Sequence, residues 1–170
     1  EVFENIQPWS KMPRAFELAT YTFELSMSEC CWSQFKRHRV GTIIKQKAYL
    51  PNSYIFPPII YTLKRDGKWL NLLKATNSLK QKLAQVSPEL MPYARINAEK
   101  VKVLANMNLR ELYHLIRLRA DINAQWEIRN LARILAESIR PLAPYATSYL
   151  CGKSELESLL LTSGKGLTKT

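Results

Sequence analysis

Asn108-Leu109-Arg110-Glu111-Leu112-Tyr113-His114-Leu115-Ile116-Arg117-Leu118-Arg119 is the stretch from which the rest of the chain is read. Asn108 has the side chain of a helix N-cap, and Glu111 stands three residues on in the reciprocal capping position, so the start of a helix is marked locally. Arg110, His114 and Arg117 follow at steps of four and three, which puts them on one face. A helix N-terminus flanked by guanidinium groups is a ready site for a phosphate or a carboxylate. The competing reading is a capped amphipathic helix whose arginines snorkel. A second helix opens downstream at Ala124-Gln125-Trp126-Glu127-Ile128-Arg129, where amide, carboxylate and guanidinium groups crowd an indole. Such polarity is expensive if it serves packing alone.

The chain around this stretch is 170 residues long, enough for one domain with a real core. No apolar run approaches membrane-spanning length, and Glu1-Val2-Phe3-Glu4-Asn5 is not a signal-peptide start, so the expected location is the cytoplasm. Three cysteines, two adjacent as Cys30-Cys31, match neither a disulfide framework nor a zinc site, and are expected reduced and buried. Lys plus Arg number 25 against 14 Asp plus Glu, a net charge of +11 that calls for anionic partners. Nucleic acid and phosphorylated small molecules both satisfy that charge. A nucleic-acid interface would spread its cations over one face among exposed aromatics. Here the informative arginines sit among apolar residues, which argues against it.

Residues 1–13 carry Pro8 and Pro13 without a clean period and read as a lead-in; the abrupt start suggests a preceding segment. Leu18 to Leu25 is rich in β-branched and aromatic residues and is expected to be a strand. Ser28 then caps a short helix with Cys31, Trp32 and Phe35 at helical spacing, ending in Lys36-Arg37-His38-Arg39. Val40 to Leu50 reads as extended, and the Pro51, Pro57 and Pro58 stretch as a loop. A helix is expected from Asp66 to Gln85, ended by Pro88 and Pro92, and a short strand from Val101 to Leu104. Ala124 to Arg140 is expected to be a long helix with Leu131, Ile134, Leu135 and Ile139 as its buried stripe. A last helix falls around Leu156 to Leu161. The domain is expected to span residues 1–161, with 162–170 a mobile tail.

The chain shows no Gly-rich phosphate loop, nucleophile elbow or paired-histidine metal motif, so no metal site is expected. What remains are two sets of basic and amide groups: Gln34 with Arg37-His38-Arg39, and Asn108, Arg110, His114 and Arg119. Lining one cavity, they would suit the phosphates of a dinucleotide together with that of a nucleotide.

At this point the sequence resembles the flavin-dependent thymidylate synthases (ThyX). That family carries Arg-His-Arg preceded by Gln and, further upstream, by Phe-Glu and Thr-Phe; here these are Arg37-His38-Arg39, Gln34, Phe16-Glu17 and Thr22-Phe23, in register without a gap. The downstream Asn-x-Arg helix, its Arg, and Ala-Gln-x-Glu-Ile-Arg are present as Asn108, Arg110, Arg119 and 124–129. The likeness covers about Phe16 to Arg140. It implies an α+β single domain with a mixed sheet and long helices, assembled as a homotetramer with FAD where subunits meet. It further implies reductive methylation of dUMP to dTMP with methylenetetrahydrofolate as carbon donor and NADPH as reductant. By the same resemblance Arg37, His38, Arg39, Asn108, Arg110 and His114 would contact FAD, and Gln34, Arg37 and Arg119 would contact dUMP. Arg119 would be the catalytic group, favouring the ionised pyrimidine N3. The flavin carries the redox chemistry, so no protein nucleophile is required and Cys30 and Cys31 are not candidates.

The departures lie just after Arg39. Where the family continues with Ser, Asn, Glu, Ser and a closing Arg-Tyr, this chain has Thr42, Ile44, Lys45, Lys47 and Tyr49-Leu50. Lys45 reverses a charge, and Tyr49 removes a bidentate phosphate anchor. Two functions therefore stand side by side: a divergent enzyme of this family, or an inactive homologue that binds flavin or a nucleotide as a structural or regulatory subunit. Either requires the runs around His38 and His114 to meet.

Overall fold

A computed structural model of the chain describes residues 3–47, 53–62 and 66–162. Its centre is a strand that alternates strictly: β3, Lys100–Asn108, turns Val101, Val103, Ala105 and Met107 inward and Lys102, Leu104 and Asn106 outward. The sequence reading ended this strand at Leu104. The ladder runs on because Ala105 and Met107 keep the inward period, while outward Asn106 bonds to Thr22 at 2.8 Å. β1, Thr20–Ser28, and β2, Thr42–Lys45, flank β3 in the order β1-β3-β2. Both pairings are antiparallel, so among the described residues the sheet is not the mixed one expected. A parallel pair would need a long crossover onto a neighbouring strand, and none of the described strands is so placed.

Helices supply the rest, and the architecture is α+β in a single domain, as the sequence implied. Ser28 caps α1, Glu29–Phe35, accepting from the Cys31 N–H at 3.0 Å. After α2, Pro58–Thr62, comes α3, Asp66–Val86, one residue longer than read; Pro58 thus opens a helical turn rather than continuing a loop. The apolar residues of α3 do not form a core face: Leu70, Leu72 and Leu79 are exposed, and the helix is tied instead by Lys80 to buried Glu99 and by Asn77 to Tyr54. Pro88 and Pro92 sit in a 3-10 segment, Pro88–Ala94, that leads towards β3. α4, Leu109–Arg119, α5, Trp126–Ile139, and α6, Lys153–Thr162, complete the chain.

One apolar cluster joins the inward face of the sheet to Phe35, Leu112, Leu115, Ile116, Ile128, Leu135, Ile139, Leu156 and Leu160. Each fully buried Leu or Ile contributes roughly 1.5–3 kcal/mol of transfer free energy. The inward stripe of α5 is Ile128, Ala132, Leu135, Ala136 and Ile139, with Leu131 at its edge; Ile134, expected inside, is 60 % exposed. The stripe steps by four and three from Ile128, and position 134 falls on the opposite side. Cys31 and Cys151 are buried and Cys30 only half-buried; all three are free thiols. Burial pushes Cys31 up to about 12 and Cys151 up to about 11. Residues 163–170 of the expected tail and 48–50 of the expected extended segment lie outside the described residues. No described helix is long and apolar enough to cross a membrane.

Candidate functional site

The strand-to-helix corner at Asn108 is where local sequence and topology combine. Asn108 pairs with Thr20 in the ladder, its Oδ1 accepts from the Glu111 N–H at 2.8 Å, and the Leu109 N–H donates to the Ala19 carbonyl at 2.8 Å. Two of the first three N–H groups of α4 are thereby spent inside the chain. The helix start alone is a poorer anion site than the sequence suggested. Glu111 does not reciprocate the cap; its carboxylate turns inward to His38.

His38 is reached by two tight turns after α1, with the Arg37 N–H on the Gln34 carbonyl at 3.3 Å and the His38 N–H on that of Phe35 at 3.1 Å. These turns bury the imidazole, 4 % exposed, and leave Arg37 and Arg39 on the surface. His38 Nδ1 lies 3.3 Å from Glu111 Oε1, and Arg119 Nε donates to His38 Nε2 at 3.2 Å. A guanidinium offers only donors, so Nε2 accepts and the ring hydrogen belongs on Nδ1, facing the carboxylate. The His114 ring stands edge-on to His38, with centroids 6.0 Å apart. Two runs separated by some seventy positions thus meet at one chain of contacts, from buried Glu111 to buried His38 to half-buried Arg119.

Beside it opens a cavity of about 510 Å³, within the size range of ligand pockets, walled by Asn108, Arg110, His114, Arg117, Glu17 and the segment from Pro8 to Met12, with Lys153 at one edge. Arg110 is half engaged: its Nε donates to the Met12 carbonyl at 2.9 Å and its Nη1 to Glu17 Oε1 at 2.5 Å. That hydrogen bond from Arg110 holds the Glu17 carboxyl below its ordinary range. Arg117 lies beneath, donating to the Ser10 carbonyl and standing 5.7 Å from the centre of the Tyr113 ring. Burial pulls its guanidinium below the usual range. Lys153 reaches this edge because Gly152 allows a close pass: a Cβ there would stand 2.9 Å from the Ala120 carbonyl carbon and oxygen at the end of α4.

Of the residues singled out from sequence, Asn108, Arg110 and His114 form the cavity wall, and His38 and Arg119 lie behind it. Gln34, Arg37 and Arg39 are not part of that wall. Gln34 is half-buried near the end of α1, and the two arginines point to solvent. Lys45, at the departure from the family pattern, is held by both oxygens of Glu29 at 2.6 and 2.7 Å, with Arg95 on the same carboxylate at 2.7 Å. Burial pushes the Glu29 carboxyl up, but the bonds from Lys45 and Arg95 outweigh it and hold it low. The polar Ala-Gln-x-Glu-Ile-Arg run is structural: Gln125 Oε1 caps α5 on the Glu127 and Ile128 N–H groups, and buried Glu127 accepts from the Ser28 N–H at 2.7 Å and from the Ser28 hydroxyl. Sequence reasoning missed the Pro8–Met12 wall, Lys153 and the inward role of Glu111. The first has no periodicity to read, and the others depend on long-range packing. Among the described residues no three His, Cys, Asp or Glu side chains gather into a metal-binding group.

An α+β domain with a cationic cavity at a strand-to-helix corner, backed by a buried His-Glu pair that holds a half-buried Arg, is a class of site suited to an anionic ligand. Residues 7–145 match the model of the thymidylate synthase complementing protein family. The chain belongs to this family, that of the flavin-dependent thymidylate synthases. Among its relatives are the flavin-dependent thymidylate synthases of Pyrococcus furiosus, 31% identical over 151 residues (76% of this chain, 61% of that protein), and Thermococcus onnurineus, 31% over 153 residues (76% and 60%). The enzyme of that name from Wolinella succinogenes is 25% identical over 154 residues, 82% of this chain and 76% of its own length. The chain thus spans about three fifths of the length of the first two relatives.

Proposed function

We propose that the chain is a flavin-dependent thymidylate synthase, converting dUMP to dTMP with methylenetetrahydrofolate and NADPH. The observation that carries the reading is the meeting of His38, His114 and Arg119 beside one cationic cavity. The donor set fits FAD: Arg110, His114 and Lys11 line a wall whose nearby carboxylates, Glu17 and Glu111, are already bonded. FAD, when bound, supplies the redox chemistry of the methyl transfer. Asn108, Arg110 and His114 hold the cofactor at the wall, with Arg37 and Arg39 contributing from the neighbouring turn, while His38, its two ring nitrogens bonded to Glu111 and Arg119, stands behind them. Solvent-facing Arg37 and Arg39 are most useful where copies of the chain meet, which favours a homotetramer with sites shared between subunits.

Arg119 and Gln34, with Arg37, receive dUMP. Among the described residues Arg119 spends only its Nε, on His38, so its Nη groups remain for the pyrimidine, where a permanent positive charge favours the ionised N3. His38 and Glu111 act through Arg119 as positioning residues. Their hydrogen-bond polarity fixes which edge of the guanidinium faces the substrate.

The test is tritium release from 5-tritiated dUMP by flavin-loaded protein. Release that is lost in Arg119→Lys, with flavin content retained, is the expected result; absence of release from the loaded wild-type chain overturns the enzyme reading. A second reading, an inactive homologue that binds flavin or a nucleotide, is favoured by one observation. Lys45 stands where the family has Glu, and its charge is consumed by Glu29 rather than offered to a ligand.

A further inference from the structure

We infer that Trp9 is a stacking platform for a planar ring of the ligand held in the cavity, so that this wall selects an aromatic ring joined to an anion. Trp9 lines the cavity and is 54 % exposed, whereas Phe3 of the same segment packs against Phe16, Tyr113 and Tyr149 at centroid separations of 6.2, 6.5 and 5.1 Å. The Trp9 indole enters no ring pair and no hydrogen bond among the described residues. An indole left in water forgoes much of the free energy that its burial would bring. Single exposed apolar residues are ordinary, however, and exposure alone assigns no role.

What sets Trp9 apart is how firmly its backbone is held. It occupies the third position of a turn from Gln7 to Ser10, with Pro8 restricting φ at the second. The Ser10 N–H donates to the Gln7 carbonyl at 2.9 Å, and the Gln7 N–H donates back to the Ser10 hydroxyl oxygen at 2.9 Å. From α4, Arg117 donates to the Ser10 carbonyl, and Arg110 Nε donates to the Met12 carbonyl at 2.9 Å. Bonds within the turn and from two arginines of α4 thus fix a backbone whose largest side chain is left without a partner. A ring mounted on an ordered backbone loses little further freedom when a second ring is laid on it. Exposed Val40 and Leu118 extend the apolar part of the same wall, while Arg110, His114 and Lys11 supply donors and positive charge. The ligand that answers both parts is a flat π-system bearing phosphate or carboxylate. The inference rests on the flavin reading for the identity of the ring, since FAD offers both an isoalloxazine and an adenine.

Trp9→Phe keeps a ring at this position and Trp9→Ala removes it. Calorimetric titration of the full chain and both variants with FAD decides the proposal; riboflavin, which carries the isoalloxazine alone, and ADP, which carries the adenine alone, separate the two rings. The expected result is that Trp9→Ala weakens FAD by about tenfold, within the range of one base–aromatic stack, while Trp9→Phe stays within about threefold of wild type. The fragment whose affinity falls with that of FAD identifies the stacked ring. FAD bound equally by wild type and Trp9→Ala overturns the platform and leaves the flavin reading standing. Equal losses in Trp9→Phe and Trp9→Ala also overturn it, because the indole then serves packing or a subunit contact rather than stacking. No binding of FAD by the wild-type chain removes the flavin reading and the platform together, so the failures are distinct. Should Trp9→Ala not fold, the Trp9 indole N–H resonance of 15N-labelled wild-type protein, assigned by its absence from Trp9→Phe, provides the readout. FAD shifts it through the ring current if the rings stack, and an unmoved resonance overturns the proposal.

Discussion

The two motif runs that meet at the site are built in opposite ways. In the run from Asn108 to Arg119 most polar side chains have a partner in the chain: Asn108 caps, Arg110 holds Glu17 and Met12, Glu111 holds His38, and Arg117 holds Ser10. In the run from Gln34 to Arg39 only the His38 side chain is committed among the described residues, and Arg37 and Arg39 stand in solvent on either side of it. One run is scaffold that also faces a cavity; the other is a pair of free charges hung on a buried imidazole. A shared role in ligand binding therefore predicts different consequences when residues of the two runs are changed.

The largest effect is expected at the junction. Glu111 is buried, and its loss leaves His38 Nδ1–H without an acceptor and Arg119 without a fixed neighbour. Breaking such a buried network costs about 3 kcal/mol, so Glu111→Ala should lower the urea midpoint strongly at unchanged m value. Glu127→Ala, which strands the Ser28 N–H and hydroxyl, should cost about 2 kcal/mol by the same measurement. A change below about 0.5 kcal/mol at Glu111, the level of an ordinary surface substitution, means that the two runs are not coupled through His38.

The contrast is sharpened by the free charges. Arg37→Ala and Arg39→Ala should each move stability by less than about 0.5 kcal/mol, since exposed arginines bury little. Each should nevertheless lower flavin retention roughly tenfold, equivalent to about 1.4 kcal/mol of binding, read as the ratio of flavin to protein absorbance after gel filtration. Full retention in the double variant would place the cofactor away from this turn.

The same contrast explains how far sequence reasoning reached. Caps at Ser28 and Asn108 are local, and they placed the starts of α1 and α4, whereas of β3 only Val101 to Leu104 was read from the sequence. The motif spacing brought His38 and His114 into one site because a motif records long-range pairing that periodicity does not. What stayed hidden was directional: whether Glu111 turned back to its cap or inward to His38 depends on a partner seventy-three positions away. The stripe of α5 failed at Ile134 for a related reason, since apolar content cannot say which face the helix turns to α1 and α4. The ties of α3 through Lys80 and Asn77 are likewise long-range and leave no local signal.

The smallest effect is expected where the scaffold run ends. Asp121, just past Arg119, accepts from the Ser154 hydroxyl and N–H at 2.7 and 2.9 Å, and so anchors the first turn of α6 beside Lys153 on the cavity edge. The Ser154 hydroxyl bond, with further bonds from the Asn123 and Ser154 N–H groups, holds its carboxyl down at about 2 against an ordinary 3.8. A carboxyl depressed on folding stabilises the native state above its unfolded value, and that contribution fades as pH falls from about 4 towards 2. The group is solvent-accessible, so the amount is below about 1 kcal/mol, in the range of an acidic side chain at a helix N-terminus. Asp121→Asn should therefore lower the melting temperature slightly at pH 7 and not at all near pH 2, if the fold survives there. A difference that persists undiminished as the carboxylate is titrated would mean that Asp121 acts through shape. Lys153 would then owe its place to the Gly152 contact alone.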